Sequence, residues 1–247
     1  MTNVRFSVRR QRTPQDKSYV EHFQVTAKPQ QTVISLLTAI DSHPYNEQGA
    51  RVEELSWEAS CLEEICGSCS MVINGVPRQA CTALVDRLQQ PITIEPLTSF
   101  PVMRDLLVDR SRMFETLAKV QAWIDIDGLH HPAAGPRQDN NLNNKRYQLS
   151  QCMTCGLCLE ACPNVKKTSK FQGPFAAAQV ELFNSHPVGE AKKEERIANL
   201  FNNTHLAACS NAQNCSRACP KGIPLLEAIA KANWAATKLM AKKFLKG

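Results

Sequence analysis

The chain has 247 residues, 21% of them charged, with 11 cysteines and a formal net charge of +6. That length suits one large domain or two small ones, and no apolar stretch approaches the roughly 18–20 residues needed to cross a bilayer. An odd cysteine count in a chain this long argues against an extracellular disulfide framework. No signal peptide is expected, because the Arg9-Arg10 pair is followed by polar QRTPQDKSY instead of an apolar stretch. The chain is therefore expected to be soluble in itself or peripheral to a membrane.

Val4-Arg5-Phe6-Ser7-Val8 alternates like a strand, and His22-Phe23-Gln24-Val25 is a second candidate after a polar turn. Thr32 opens the run VISLLTAI, whose spacing of Ile34, Leu37 and Ile40 predicts a helix. Cys61, Cys66 and Cys69 follow as C-x4-C-x2-C, with Cys81 a distant fourth. Between them, Ser70-Met71-Val72-Ile73 leads into Asn74-Gly75, a hairpin signal, and Val76 begins the return. Ile92-Thr93-Ile94-Glu95 alternates again. Two strands, a helix, a cysteine-bearing loop and further strands predict a β-grasp, plant-type ferredoxin domain over residues 1–105.

Beyond residue 105 the period changes. Leu106, Met113, Leu117, Val120 and Trp123 recur at helical spacing, and HHPAAGPRQDNNLNNKR reads as an exposed connection. Residues 175–183 and 191–201 are expected to be short amphipathic helices, and a final helix is expected from Pro224 through Ile229, Ala236, Met240 and Phe244. Residues 106–247 are thus predicted to form a second, all-helical domain, and the fold class is α+β. Residues 221–247 hold six lysines and one glutamate, with Lys231, Lys238, Lys242 and Lys246 on one helix face. A solvated face is the simpler reading, and a contact with anionic lipid or an acidic partner is the alternative.

The helical half carries two related cysteine runs. Residues 152–163, CMTCGLCLEACP, show C-x2-C-x2-C-x3-C-P at Cys152, Cys155, Cys158 and Cys162. Residues 209–220, CSNAQNCSRACP, fit the same template with Ala212 where the second cysteine belongs. In two-cluster bacterial ferredoxins the fourth cysteine of each run ligates the other cluster. That crossover gives Cys152, Cys155, Cys158 and Cys219 to a [4Fe–4S] cluster. It leaves Cys162, Cys209 and Cys215 for the other, and three thiolates predict [3Fe–4S]. Cys61, Cys66, Cys69 and Cys81 have the plant-type [2Fe–2S] spacing. Zinc would pair two separated C-x2-C hooks, which suits these runs less well. With three clusters at about −2 each, the formal +6 is cancelled, so global charge does not argue for nucleic acid.

Nothing in the sequence activates a substrate. His22, His43, His130, His131, His186 and His205 show no ligand spacing, and there is no dinucleotide or phosphate loop motif. The chemistry is expected on partner subunits, with this chain carrying electrons between them. The order of motifs resembles the iron–sulfur subunit of succinate dehydrogenase and fumarate reductase, respiratory complex II. The resemblance covers CLEEICGSCSMVINGVPRQAC at 61–81, FPVMRDLLVDRSRMF at 100–114, CMTCGLCLEACP at 152–163 and CSNAQNCSRACPKGIP at 209–224.

The resemblance implies an electron path. A flavoprotein subunit with covalent FAD oxidises succinate, and electrons pass through [2Fe–2S], [4Fe–4S] and [3Fe–4S] in that order. Their destination is a quinone at or beyond a membrane-anchor cytochrome b subunit with haem b. It also implies a peripheral position at the cytoplasmic face of a bacterial membrane. The wording of the motifs is most similar to menaquinone-linked enzymes. Ubiquinone-type relatives carry a Trp at the position of Lys167 and a His after the cysteine equivalent to Cys209, where this chain has Ser210. The alternatives are a fumarate reductase subunit working in reverse, a free ferredoxin-like carrier and a zinc-stabilised interaction module.

Overall fold

The computed structural model describes residues 2–125, 138–166 and 168–246. In chain order it contains β1 (Thr2–Arg10), β2 (Tyr19–Ala27), α1 (Val33–Ser42), β3 (Ser70–Ile73), β4 (Val76–Gln79), β5 (Ile92–Glu95), β6 (Val102–Arg104) and β7 (Leu107–Val108). The helices α2 (Ser111–Lys119), α3 (Asn140–Ser150), α4 (Leu157–Glu160), α5 (Phe175–Asn184), α6 (Lys193–Thr204), α7 (Asn214–Ala218) and α8 (Leu225–Lys246) follow. The chain divides into two compact units, Met1–Arg110 with Met153–Ala161, and Ser111–Cys152 with Cys162–Gly247.

The first unit is built on a five-stranded sheet in the order β2-β1-β5-β3-β4. β1 runs parallel to β5 and antiparallel to β2, and β3 is antiparallel to both β4 and β5. Alternation along β1 buries Val4, Phe6 and Val8 on one face, where Phe6 sits between Phe23 and Ile92 in register. Leu36, Leu37 and Ile40 of α1 join the same core, and each fully buried side chain of this size contributes about 1.5–3 kcal/mol. Thr32 caps α1, its hydroxyl accepting from the Ser35 N–H at 3.4 Å. Asn74 and Gly75 take positive φ values of 50° and 73°, the left-handed pair that a two-residue hairpin between β3 and β4 requires. The mixed sheet with one helix packed on it is the expected β-grasp arrangement.

Leu106 does not lie on a helix. It follows Asp105 at the tip of the β6–β7 hairpin and is buried, its N–H bonded to the Ser56 carbonyl at 3.0 Å. Asp105 explains the departure from helical geometry. Its carboxylate accepts from Arg10 Nε at 2.9 Å and from the N–H groups of Gln11 and Ser56 at 3.0 and 3.1 Å. Three partners from distant segments outweigh the local period, so the helix starts only at Ser111 and ends before Trp123.

The second unit contains no strand among the described residues. α5 buries Phe175, Ala176, Ala177, Ala178 and Val180, the pattern of a helix enclosed on most sides. α3, α6 and α8 pack around it. Residues 130–137 of the expected exposed connection over 130–146 lie outside the described residues; 138–145 are exposed as expected, but from Asn140 the backbone is helical. Asp139 caps α3 by accepting from the N–H groups of Asn141 and Leu142 at 2.6 and 3.1 Å. Arg146 donates to the Ser185 carbonyl and Leu149 is buried, so tertiary contacts hold a helix that a polar composition concealed. His130 and His131 lie outside the described residues.

α8 begins after Pro224 as expected, with Ile229 and Ala236 buried, but Met240 and Phe244 are exposed. Its lysine face is partly engaged within the unit. Lys231 pairs with Glu181 and Glu227, Lys242 pairs with Glu194, and Lys238 lies 3.5 Å from the centre of the Trp234 ring. The Lys246 side chain lies outside the described residues. Among those residues no helix is long and apolar enough to cross a membrane.

Candidate iron–sulfur centres

The loop from Cys61 to Cys69 turns its backbone toward sulfur. Leu62, Glu64 and Gly67 have φ values of 60°, 57° and 75°, and alternation between left- and right-handed residues points successive N–H groups into one hollow. Cys61 Sγ accepts from the N–H groups of Glu63, Ile65 and Cys66 at 3.4, 3.2 and 3.2 Å. Cys66 Sγ accepts from the Cys61 N–H at 3.5 Å and from the Ser68 hydroxyl at 3.2 Å. The Cys61 N–H, and then Ser68, hold the Cys66 thiol down at about 6. This is an environment made for thiolates, since a neutral thiol needs no such set of donors.

Cys81 experiences the opposite balance. Burial, then the neighbouring Cys69 thiol, pushes it up to about 12, and Cys61 adds to the effect. A cation held among these four cysteines would favour the ionised form of the buried Cys81 as well as that of Cys66. An iron–sulfur core is such a group, and the donor set fits it. Among the described residues no three Cys, His, Asp or Glu side chains are close enough to hold a single metal.

Two glycines bring part of the next cysteine run against this loop inside the same unit. A Cβ on Gly67 would stand 2.9 Å from Cys155 Cβ and from the Met153 carbonyl oxygen. A Cβ on Gly156 would stand 2.8 Å from the Phe100 ring, and Gly156 has φ +86°. Glu160 closes the contact, accepting from the Thr98 hydroxyl at 2.6 Å and the Ser99 N–H at 2.8 Å. The compact units divide this run. Cys155 and Cys158 belong to the first unit, whereas Cys152 and Cys219 belong to the second.

The motif at 100–114, read only as a family marker, has a structural task here. Phe100 faces Gly156, Asp105 gathers three segments, and Arg110 donates to the Gly67 carbonyl at 2.7 Å while pairing with Glu58. Gln79 was not singled out by sequence reasoning either. It is buried and receives the Cys69 thiol at 3.2 Å. The only sequence signal was an amide-bearing residue two positions before Cys81.

In the second unit, Cys162, Cys209 and Cys215 line one pocket, together with Ala212, Pro163 and Ile229. Burial raises the Cys162 and Cys215 thiols, with Cys209 adding to the first and Cys162 and Cys209 adding to the second. The N–H groups of Asn164 and Val165 act in the opposite sense on Cys162. Asn164 also accepts from the Ser210 hydroxyl at 2.9 Å and donates to the Ala208 carbonyl, tying the two cysteine runs together. Lys167 lies outside the described residues. Of the histidines, His22 meets the Ser7 hydroxyl at 3.0 Å and His186 accepts from the Val188 N–H at 3.3 Å. Both contacts are local.

A β-grasp unit with a thiolate-binding loop, followed by helices bearing two ferredoxin-type runs, defines an iron–sulfur electron-transfer protein. A family model described as a 2Fe-2S iron-sulfur cluster binding domain matches residues 5–115, and a 4Fe-4S dicluster domain matches residues 148–223. The succinate dehydrogenase iron-sulfur subunit of Bacillus subtilis is 52% identical over 93% of this chain and 91% of its own length. The fumarate reductase iron-sulfur subunit of Mycobacterium tuberculosis is 36% identical over 77% of this chain and 78% of its own. A solved structure described as the Mycobacterium smegmatis Sdh1 complex in the apo form matches with a TM-score of 0.79. It covers 98% of this chain and 97% of that one at 22% identity, which supports the fold.

The chain belongs to the family of iron–sulfur subunits of succinate dehydrogenase and fumarate reductase. It is an electron-transferring component of a complex II oxidoreductase.

Proposed function

We propose that this subunit works in succinate oxidation, between a flavoprotein subunit that holds FAD and a membrane-anchor cytochrome b subunit that holds haem b. Cys61, Cys66, Cys69 and Cys81 hold [2Fe–2S]; Cys152, Cys155, Cys158 and Cys219 hold [4Fe–4S]; Cys162, Cys209 and Cys215 hold [3Fe–4S]. When bound, these groups supply one-electron centres in that order, from flavin toward quinone. The protein's part is to hold them at fixed spacing, aim N–H groups at sulfur and keep water away. The observation that carries this reading is the pocket shared by three cysteines, with Ala212 on its wall where the repeat has its second cysteine.

Similarity to a succinate dehydrogenase subunit at 52% identity supports the direction. The second reading, fumarate reduction, is favoured by relatives named for that activity at 33–36% identity. Menaquinone is the proposed acceptor, because Ser210 replaces the histidine of ubiquinone-type relatives and is bonded to Asn164. The subunit is placed peripherally at the cytoplasmic face of the membrane, held by the anchor.

Ala212→Cys tests the cluster assignment. The anaerobically purified complex should hold about nine non-haem iron atoms per chain and give an oxidised-state [3Fe–4S] EPR signal. The variant should convert part of that cluster to [4Fe–4S], lose the oxidised-state signal and slow quinone reduction, while succinate oxidation with a flavin-level acceptor persists. An unaltered [3Fe–4S] spectrum in a folded variant shows that the side chain at position 212 does not face the open corner, and non-haem iron at about eight per chain with zinc present overturns the assignment. Co-purification with the flavoprotein and anchor separates this reading from a free carrier. Comparing succinate-oxidising with fumarate-reducing turnover in that complex decides direction.

A further inference from the structure

A buried polar cluster lies behind Cys69, and its role depends on Cys69 being a ligand of the [2Fe–2S] cluster, as the proposed function requires. Gln79 at the end of β4 is 1% exposed, and Ser70, its register partner at the start of β3, is 5% exposed. With Cys69 as a thiol, its S–H donates to Gln79 Oε1 at 3.2 Å, and Gln79 Nε2 donates to Ser70 Oγ at 2.8 Å. The Ser70 hydroxyl donates in turn to the Gly67 carbonyl at 2.9 Å, which also receives Arg110 Nη1 at 2.7 Å.

An iron-bound thiolate has no proton to give. In the same arrangement its sulfur would face a carbonyl oxygen at 3.2 Å in a site almost sealed from solvent, an acceptor against an acceptor. The oxygen and nitrogen of an amide occupy nearly the same positions. A half-turn of the Gln79 amide therefore places Nε2 against the sulfur without displacing a heavy atom. Oε1 then lies where Ser70 can donate to it, and the Ser70 proton swings from Gly67 to Gln79. The Gly67 carbonyl keeps Arg110, so every buried polar group retains a partner.

We propose that Gln79 is a positioning residue for the [2Fe–2S] cluster, its amide donating an N–H···S hydrogen bond to the Cys69 thiolate and thereby raising the cluster's reduction potential, with Ser70 fixing the amide's orientation. Reduction adds negative charge to the cluster, and a donor aimed at sulfur stabilises the reduced form more than the oxidised one.

The test is an EPR-monitored redox titration of the intact complex carrying Gln79→Leu, Gln79→Glu or Ser70→Ala. A wild-type complex without a [2Fe–2S] signal would refute the cluster reading itself, separately from the role of the amide. Gln79→Leu is expected to lower the [2Fe–2S] midpoint potential and leave the other two clusters unmoved. Gln79→Glu, an acceptor of the same size, should lower it further, and Ser70→Ala should lower it less. An unshifted midpoint in Gln79→Leu with the cluster intact overturns the proposal. Should both Gln79 variants lose the cluster, pulsed EPR on wild-type protein labelled with 15N in the glutamine side chains decides. A nitrogen coupling to the reduced cluster that Ser70→Ala weakens supports the hydrogen bond, and its absence overturns it.

Discussion

Arg10 in the first unit and Arg196 in the second are among the largest fully buried side chains of the described residues, at 1% and 2% exposure. The surroundings of the two differ in kind. Arg10 meets the carboxylates of Asp105 at 2.9 Å and Glu21 at 2.7 Å, and also bonds the carbonyls of Glu53 and Glu54. Burial is the largest single influence and lowers its pKa, but the hydrogen bond and charge of Asp105, joined by Tyr19 and Glu21, together outweigh it and the net shift is upward. Arg196 donates to the carbonyls of Gln121, Trp123 and Gly189 and to the Asn184 amide oxygen. Burial lowers its pKa, with Asp125 and Glu195 opposing from a distance. One unit is pinned by opposite charge and the other by backbone dipoles. The cysteine sites follow the same division. The Cys61–Cys69 loop is threaded with donors from the chain itself, whereas burial dominates the three-cysteine pocket.

Breaking the first clasp should have the largest effect. Asp105→Ala leaves the Arg10 guanidinium buried without its main partner and releases the Gln11 and Ser56 N–H groups. A loss of about 3–5 kcal/mol is expected in denaturant unfolding. The [2Fe–2S] signal should fade while the oxidised [3Fe–4S] signal persists. A loss under about 1 kcal/mol would mean that the clasp is incidental.

Arg196→Met sharpens the contrast from the other side. It strands four oxygens but leaves no buried charge behind, so a smaller loss of about 2–3 kcal/mol is expected. Here the [3Fe–4S] signal should be the more sensitive one. Equal loss of both signals in both variants would erase the distinction between the units. The smallest effect belongs to Lys242→Ala. Its pair with Glu194 spans 2.6 Å, with both side chains half exposed, and such pairs contribute under about 1 kcal/mol. Cluster spectra should not change, and added salt should abolish whatever stability difference is seen.

Some of this was legible in single residues. Thr32 announced α1, Asn74-Gly75 announced the hairpin, and Pro224 marked the start of α8. Each works through short-range sterics or a cap, so a few consecutive residues suffice. α3 was hidden for a different reason. Its Asn-rich sequence has little apolar periodicity, and only Asp139 signalled the start, while Arg146 finds its carbonyl 39 residues away. Leu106 misled because its spacing to Met113 is helical, yet its N–H is held by Ser56.

By itself the sequence determined which cysteines share a loop, because ligand spacing is fixed by chain length between thiols, and it marked Ala212 as the gap in the second run. It also set the turns and caps that begin each element. Only the tertiary structure decided that Leu62 and Glu64 adopt left-handed backbone, which aims three N–H groups at Cys61. The same holds for Asp105, whose partners lie 95 and 49 residues away, and for Gln79, whose amide faces Cys69 through strand register. A hydrogen bond between distant segments depends on what else has packed there, and no local pattern records that.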